Sequence, residues 1–239
     1  DLATREAVAA AKRDAMGAVG LVEAGHTGRL GAFAEWGAEQ GCLVMIIGGG
    51  GRTMWRQVAP HGGARARLPT NPYAFAIPGG ERGPVVLDFA TGTIAGGWIL
   101  AARSAGARLP EGAVIDRAGR PTTDPEDYFA GGAILPAGGP KGYALGVIAE
   151  LVAEAMLGPV SLECHWLVLA IDCARWREPT AMRAAAEAVL AELRACPPAE
   201  GHARVEIPGE RERDARAASG GIVRLPEPTW AALRALADG

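Results

Sequence analysis

The chain has 239 residues, a formal net charge of -3 and four cysteines. That length allows one substantial buried core. The balance of 24 basic against 27 acidic residues, with no dense basic cluster, excludes the electrostatic footprint of a nucleic-acid or anionic-membrane binder. The longest strictly apolar stretch, CLVMIIGGGG at 42–51, falls short of the ~20 residues that a membrane helix needs. No charged leader followed by an apolar segment opens the chain. Cys42, Cys164, Cys173 and Cys196 show no CxxC spacing and sit in apolar segments, which reads as reduced, buried thiols in a cytoplasmic protein.

In chain order, TREAVAAAKRDAMG predicts a helix with Thr4 as N-cap and Gly17 as its stop. AVGLVEAG at 18–25 and CLVMIIG at 42–48 read as short apolar strands on either side of a second helix, GAFAEWGAEQGC. YAFAIP at 73–78 and PVVLDFA at 84–90 flank the turn signal GGERG and predict a hairpin. GWILAARSAG begins helically. The Gly-, Pro- and Asp-rich VIDRAGRPTTDPEDYFAGG reads as surface loop. LGVIAELVAEAML at 145–157 predicts a helix that buries Ile148, Leu151, Val152, Ala155 and Met156 on one face. A strand HWLVLAID at 165–172, a helix TAMRAAAEAVLAELRAC, a short strand ARVEI and two closing helices, RERDARAASG and EPTWAALRALA, complete the pattern. Interleaved helices and strands with one hairpin imply an α/β fold with a mixed sheet and flanking helices.

Three segments can carry chemistry. In GHTGRLG, residues 25–31, His26 stands between glycines at the mouth of a helix, where it can exchange a proton near neutral pH or simply pack over the helix terminus, with Thr27 as the cap. In PVVLDFATG, Asp88 ends a strand, a place suited to holding ribose hydroxyls or to capping its own turn near Ala90 or Thr91. In LPAGGPKGYALG, a glycine-rich loop delivers Lys141 to a helix start and makes an anion site, although the order is not that of a Walker A loop. LPTNPY offers Thr70 and Asn71 as polar ligand groups in what is first a turn signal, and IPGE at 207–210 opens another helix. Cys164 and His165 are adjacent, point to opposite faces of a strand and read as core. His61 and His202 lack metal-ligand spacing, so no metal is expected. No GxGxxG follows a predicted strand, so a nucleotide would bind by an unusual route.

Taken in order, GHTGRLGAFAEWGAEQG, LPTNPYAFAIP, PVVLDFATG, RPTTDP, GGPKGYALG, PGERE and LPEPTW resemble the type 2 malate/L-lactate dehydrogenases. That family also includes ureidoglycolate and sulfolactate dehydrogenases, diketogulonate reductase and the reductases of piperideine-2-carboxylate. The resemblance implies a non-Rossmann nicotinamide-binding fold, NAD or NADP as cofactor, a small-molecule substrate and a homodimer. It implies His26 as acid-base residue. It also places Asp88, Phe89 and Ala90 beside the nucleotide, Pro140 and Lys141 towards the cofactor phosphates, and Pro208, Gly209 and Glu210 completing the pocket. Family members carry a preceding segment with a Ser-His-Gly motif and a carboxylate-gripping arginine, so residues 1–239 are expected to be the nicotinamide-binding and partial catalytic domain without that segment. Arg29 and Arg52 are the arginines nearest the site by sequence.

The expected reaction is reversible hydride transfer between a nicotinamide cofactor and a 2-hydroxy/2-oxo acid or cyclic 2-imino acid. The alternative is a non-catalytic cofactor-binding or dimerisation module.

Overall fold

The computed structural model describes residues 1–25, 27–51, 54–161, 163–223, 225 and 227–237. His26 and Arg52, singled out above, lie outside them. The elements run α1 (Leu2–Asp14), β1 (Met16–Ala24), α2 (Gly31–Glu39), β2 (Cys42–Gly49), β3 (Tyr73–Ile77) and β4 (Val85–Phe89). Then come α3 (Gly96–Ala105), β5 (Val114–Ile115), β6 (Pro121–Thr122), α4 (Pro125–Phe129), β7 (Ala133–Ile134) and α5 (Pro140–Glu150), the last continuing as a π-helical turn, Leu151–Met156. β8 (Cys164–Asp172), α6 (Pro179–Arg194), α7 (Glu210–Ser219) and α8 (Glu227–Ala237) complete the chain.

The five-stranded sheet has the order β1-β8-β2-β3-β4 and the three-stranded sheet the order β6-β5-β7. Every strand pair in both sheets is antiparallel. A lone parallel bridge joins Val58 to Ile134. β8 comes late in the chain but inserts between β1 and β2, so the strand next to the sheet's β1 edge is supplied by a segment more than a hundred residues downstream of both its neighbours. α1 and α2 cover one face, and the main core gathers Ala7, Val8 and Ala11 with Ala34, Val44, Ile46 and Val168. Small residues permit this close packing. A Cβ on Gly17 would collide with the carbonyl oxygen of Ala7, and one on Gly37 with the side chain of Val44. Gly17 therefore serves the contact between α1 and β1; the helix has already ended at Asp14. A second core, around Val58, Ile99, Val114 and Ile134, lies under the small sheet.

Several sequence expectations are corrected. Residues 203–207 form no strand: Pro208 follows at once, has no amide to donate and gives β4 a single bond, from the Val86 amide to its own carbonyl oxygen at 3.1 Å. The stretch 114–132 is ordered as β5, β6 and α4, because the residues that suggested loop are turn and cap residues. Asp116 accepts from the amides of Ala118 and Arg120, and Asp124 caps α4 with Pro125 at its first position.

The helix predicted over 145–157 starts earlier, at Pro140, and it buries the opposite stripe. Gly142, Gly146, Ala149 and Ala153 face the core, whereas Ile148, Leu151 and Met156 are 55%, 54% and 60% exposed. Small residues let this helix approach the sheet closely, a stripe that hydrophobicity alone does not mark. Cys42 is buried and Cys164 and Cys173 are half-buried, but Cys196 is exposed, since it lies beyond the C-terminal cap of α6. Among the described residues, no helix is long and apolar enough to cross a membrane.

Candidate functional site

The segment 27–31 carries the site's organisation. Its helix, α2, begins with Leu30 at the cap position, and no side chain at that position bonds the first amides. Thr27 is therefore not the cap. The carboxylate comes from another strand: Asp88, at the end of β4, accepts from the Gly31 amide at 2.7 Å. A negative group at a helix N-terminus satisfies an orphan N-H and complements the helix dipole. Packing of the Asp88 carboxyl against α2 pushes its pKa up, opposed by the Gly31 hydrogen bond and by Arg29. The turn at Ala90 and Thr91 takes other partners: the Thr91 amide and hydroxyl donate to the Thr70 carbonyl at 2.8 and 2.9 Å.

Two cavities flank this loop. The larger, about 670 Å³, has Thr27, Gly28, Thr70, Asn71, Trp55 and Tyr128 in its wall. The other, about 450 Å³, is walled by Arg29, Asp88, Pro208, Gly209, Arg211 and Glu212. Thr27 and Gly28 thus face one cavity and Arg29 the other. At Gly28, φ is +68°, a conformation that glycine adopts without strain.

The sequence-predicted residues divide accordingly. Thr70 belongs to the larger cavity, and Asp88, Pro208 and Gly209 to the smaller. Phe89 turns to stack on Tyr73, with ring centroids 5.8 Å apart, and Ala90 is half-buried behind it. Glu210 is 1% exposed and looks inward. One of its oxygens takes two hydrogen bonds from Arg194 at 2.9 and 3.1 Å, with Arg82 at 3.3 Å. Its carboxylate therefore anchors the Pro208–Gly209 turn to α6. Pro140 and Lys141 are exposed at the start of α5 and line neither cavity. The glycines before them, Gly138 and Gly139, face a third cavity of about 570 Å³ with His61 and Thr93.

A buried carboxylate organises the basic groups beside the smaller cavity. Glu35, whose side chain is 4% exposed, bonds Arg216 at 2.9 Å and Arg29 at 3.1 Å, with Arg213 at 3.7 Å. Burial opposes its ionised form, but the hydrogen bonds from Arg216 and Arg29 prevail and hold its pKa below the ordinary value. On the larger cavity's wall, burial beside Glu163 and Glu150 pushes the Cys164 thiol up to about 11, so it stays protonated and unreactive at neutral pH. His165 is buried, with Nδ1 3.2 Å from the Ala153 carbonyl oxygen and Nε2 3.4 Å from Glu23, in line with its reading as core. Among the described residues, no group of three or more His, Cys, Asp or Glu could hold a metal ion.

Residues 1–234 match the malate/L-lactate dehydrogenase family. The chain belongs to that family. It is 39% identical over 166 residues to the Δ1-pyrroline-2-carboxylate/Δ1-piperideine-2-carboxylate reductase of Pseudomonas putida, an alignment covering 69% of this chain and 48% of the relative. It is 36% identical over 234 residues to the L-lactate dehydrogenase of Cupriavidus necator, covering 89% of this chain and 64% of the relative. The chain therefore spans about half to two thirds of the length of these curated relatives. Among solved structures, one described as a putative malate/lactate dehydrogenase from E. coli superposes with a TM-score of 0.86 at 27% identity, covering 97% of this chain and 68% of that one.

In this family member, sequence reasoning missed the aromatic wall of the larger cavity, formed by Trp55, Tyr128, Phe129 and Trp166. The signal lay in aromatic residues placed within polar segments, such as the YF of DPEDYF, which read as loop. Arg211 and Glu212 were hidden because helical periodicity does not show which face of α7 meets β4.

The depressed pKa of Glu35 sets a pH dependence. A carboxylate lowered in the folded state stabilises the protein above its unfolded pKa of about 4.3, and that contribution is lost as pH falls through the folded value. Glu35→Gln is expected to lower the unfolding free energy at pH 7 by about 1–2 kcal/mol, a modest loss because the guanidiniums reach solvent. The difference from wild type should narrow once pH drops below about 4. Urea titrations of both proteins across this range measure it, and a pH-independent difference would contradict the assignment.

Proposed function

We propose that the chain is the nicotinamide-binding and partial catalytic part of an NAD(P)-dependent oxidoreductase. The reaction moves a hydride between the cofactor and C2 of a 2-hydroxy/2-oxo acid or a cyclic 2-imino acid. The observation that carries this reading is the segment 27–29. It joins a cavity with aromatic walls, which holds Thr70, to a charged cavity, which holds Asp88, Pro208 and Gly209. A dinucleotide has two unlike ends joined by a diphosphate, and the consecutive residues Thr27, Gly28 and Arg29 border both cavities, so that one such ligand can span them.

The residues fit such a ligand. The Asp88 carboxylate uses one oxygen on the Gly31 amide, and its other oxygen can accept a sugar hydroxyl. Gly209, at φ +91°, packs its backbone against Val86, where a Cβ would come within 3.0 Å, so a backbone edge forms the pocket wall. Glu210 and Arg194 hold that edge in place from behind. The bound cofactor supplies or accepts the hydride. The chain's own part is to orient the acid through Thr70 and to hold, at His26, the proton that the developing alkoxide or amine requires. The aromatic wall excludes water from the reacting groups. Lys141 and Pro140 complete the family's phosphate side in this reading, although neither lines the two cavities.

We assign the assembly as a homodimer in the cytoplasm. Support for the dimer comes from Ile148, Leu151 and Met156, exposed on α5 and its π turn, beside the unpaired edge of β1, where Leu21 and Val22 are also exposed. Leu157 packs against Gly20 and makes these surfaces continuous. Support for the compartment comes from cysteines that are all unpaired.

Isothermal titration of NADH and NADPH into the protein, with turnover assays on pyruvate, oxaloacetate and piperideine-2-carboxylate, tests the reading. Binding of one cofactor with turnover is expected. His26→Ala should reduce turnover by about 10²-fold or more, the scale of a lost general acid-base group, with cofactor affinity retained. Cofactor binding without turnover would make the chain a non-catalytic module, and no cofactor binding would overturn both readings.

A further inference from the structure

Asn71, in the wall of the larger cavity, combines three unusual features. It is fully buried, its φ is +37°, and its amide nitrogen donates to Glu150 at 2.7 Å across the sheet-helix boundary. A residue other than glycine in this region is strained unless its surroundings hold it, and asparagine tolerates the conformation better than most. The neighbours fit closely around the pair. A Cβ on Gly49 would collide with the Asn71 amide nitrogen and would lie 3.2 Å from Glu150, and one on Gly146 would lie 3.2 Å from the Thr91 hydroxyl. One residue earlier, the Thr70 carbonyl takes both hydrogen bonds of Thr91. The Thr70–Asn71 turn is thus gripped from two sides, by Thr91 at the end of β4 and by Glu150 at the end of α5.

We propose that Glu150 is a positioning residue: through its hydrogen bond to Asn71 it holds the left-handed turn that presents Thr70 to the cavity. A carboxylate is a suitable partner because a charge-assisted bond is stronger than a neutral one and so offsets the backbone strain. Glu150 is 7% exposed and acts from behind the wall, with Asn71 between it and the ligand space. Only the identity of the ligand rests on the dehydrogenase reading. The positioning itself concerns the turn and can be read without turnover.

The experiment compares wild type, Glu150→Ala, Glu150→Gln and Asn71→Gly in the full chain, by amide hydrogen exchange and by steady-state kinetics with pyruvate or piperideine-2-carboxylate. Glu150→Ala is expected to speed exchange at the Thr91 amide, which bonds the Thr70 carbonyl, by about tenfold or more, while exchange across Val85–Phe89 stays at the wild-type rate. Asn71→Gly keeps the backbone conformation accessible and removes only the side-chain bond, so it should loosen Thr91 in the same way and stands in for Glu150→Ala should that variant fail to fold. Glu150→Gln, whose amide oxygen can still accept from Asn71, should restore slow exchange.

In turnover, Glu150→Ala and Asn71→Gly should raise KM for the acid by about tenfold with kcat and NAD(P)H affinity little changed. Unchanged exchange at Thr91 in Glu150→Ala and Asn71→Gly, or loosening that extends equally to Val85–Phe89, would overturn the proposal. Absence of wild-type turnover would instead count against the dehydrogenase reading, and the exchange measurements would still decide the role of Glu150.

Discussion

The 2.7 Å hydrogen bond from the Gly31 amide to Asp88 is the constraint on which the site depends. α2 starts without a capping side chain of its own, since Leu30 occupies the cap position, and its first amides need an acceptor. Asp88, 57 residues further along the chain, supplies one. That bond fixes the end of β4 against the start of α2, and residues 27–29, just before the helix, border both cavities. The strand end and the loop are therefore one unit: Thr91, three residues beyond Asp88, clamps Thr70 in the larger cavity, while the amide of Val86, two residues before it, donates to the Pro208 carbonyl beside the smaller one.

Buried carboxylates hold the remaining parts. Glu35 collects arginines from loop 25–31 and α7, Glu210 ties the Pro208–Gly209 turn to α6 through Arg194, and Glu150 grips Asn71. Each is under a tenth exposed and each has a charged or amide partner, as the cost of burying a carboxylate requires. Charges used in this way add little net stability compared with apolar packing, but they are directional. They set where turns sit, which is the need of a site assembled from loops.

Elements with strong periodicity were legible in the sequence. The strands at β2, β3, β4 and β8 and the helices α1, α2, α6, α7 and α8 follow from apolar runs, amphipathic spacing and glycine stops. The failures have physical causes. α5 buries glycine and alanine and exposes Ile148 and Leu151, so a rule that sends large apolar residues inward selects the wrong face. The segment 203–207 has strand-like residues but forms no strand, and the contact with β4 is the single bond that the Pro208 carbonyl accepts from the Val86 amide.

At the site, motifs marked Thr70 for the substrate and Asp88, Pro208 and Gly209 for the cofactor; Thr70 lies in the wall of the larger cavity and the other three in that of the smaller. The partner of Asp88 and the inward turn of Glu210 depend on contacts between segments far apart in sequence, Gly31 with Asp88 and Arg82 with Glu210, which no local pattern records.

The central claim is that one ligand spans both cavities across residues 27–29. Backbone NMR during a titration with NADPH, repeated with NADH, tests it most directly. The account predicts that the amides of Thr27, Gly28 and Thr70 on one side, and of Asp88, Gly209 and Arg211 on the other, shift together along a single binding curve with one of the two cofactors. Shifts confined to one cavity, or two curves with different affinities, would contradict it.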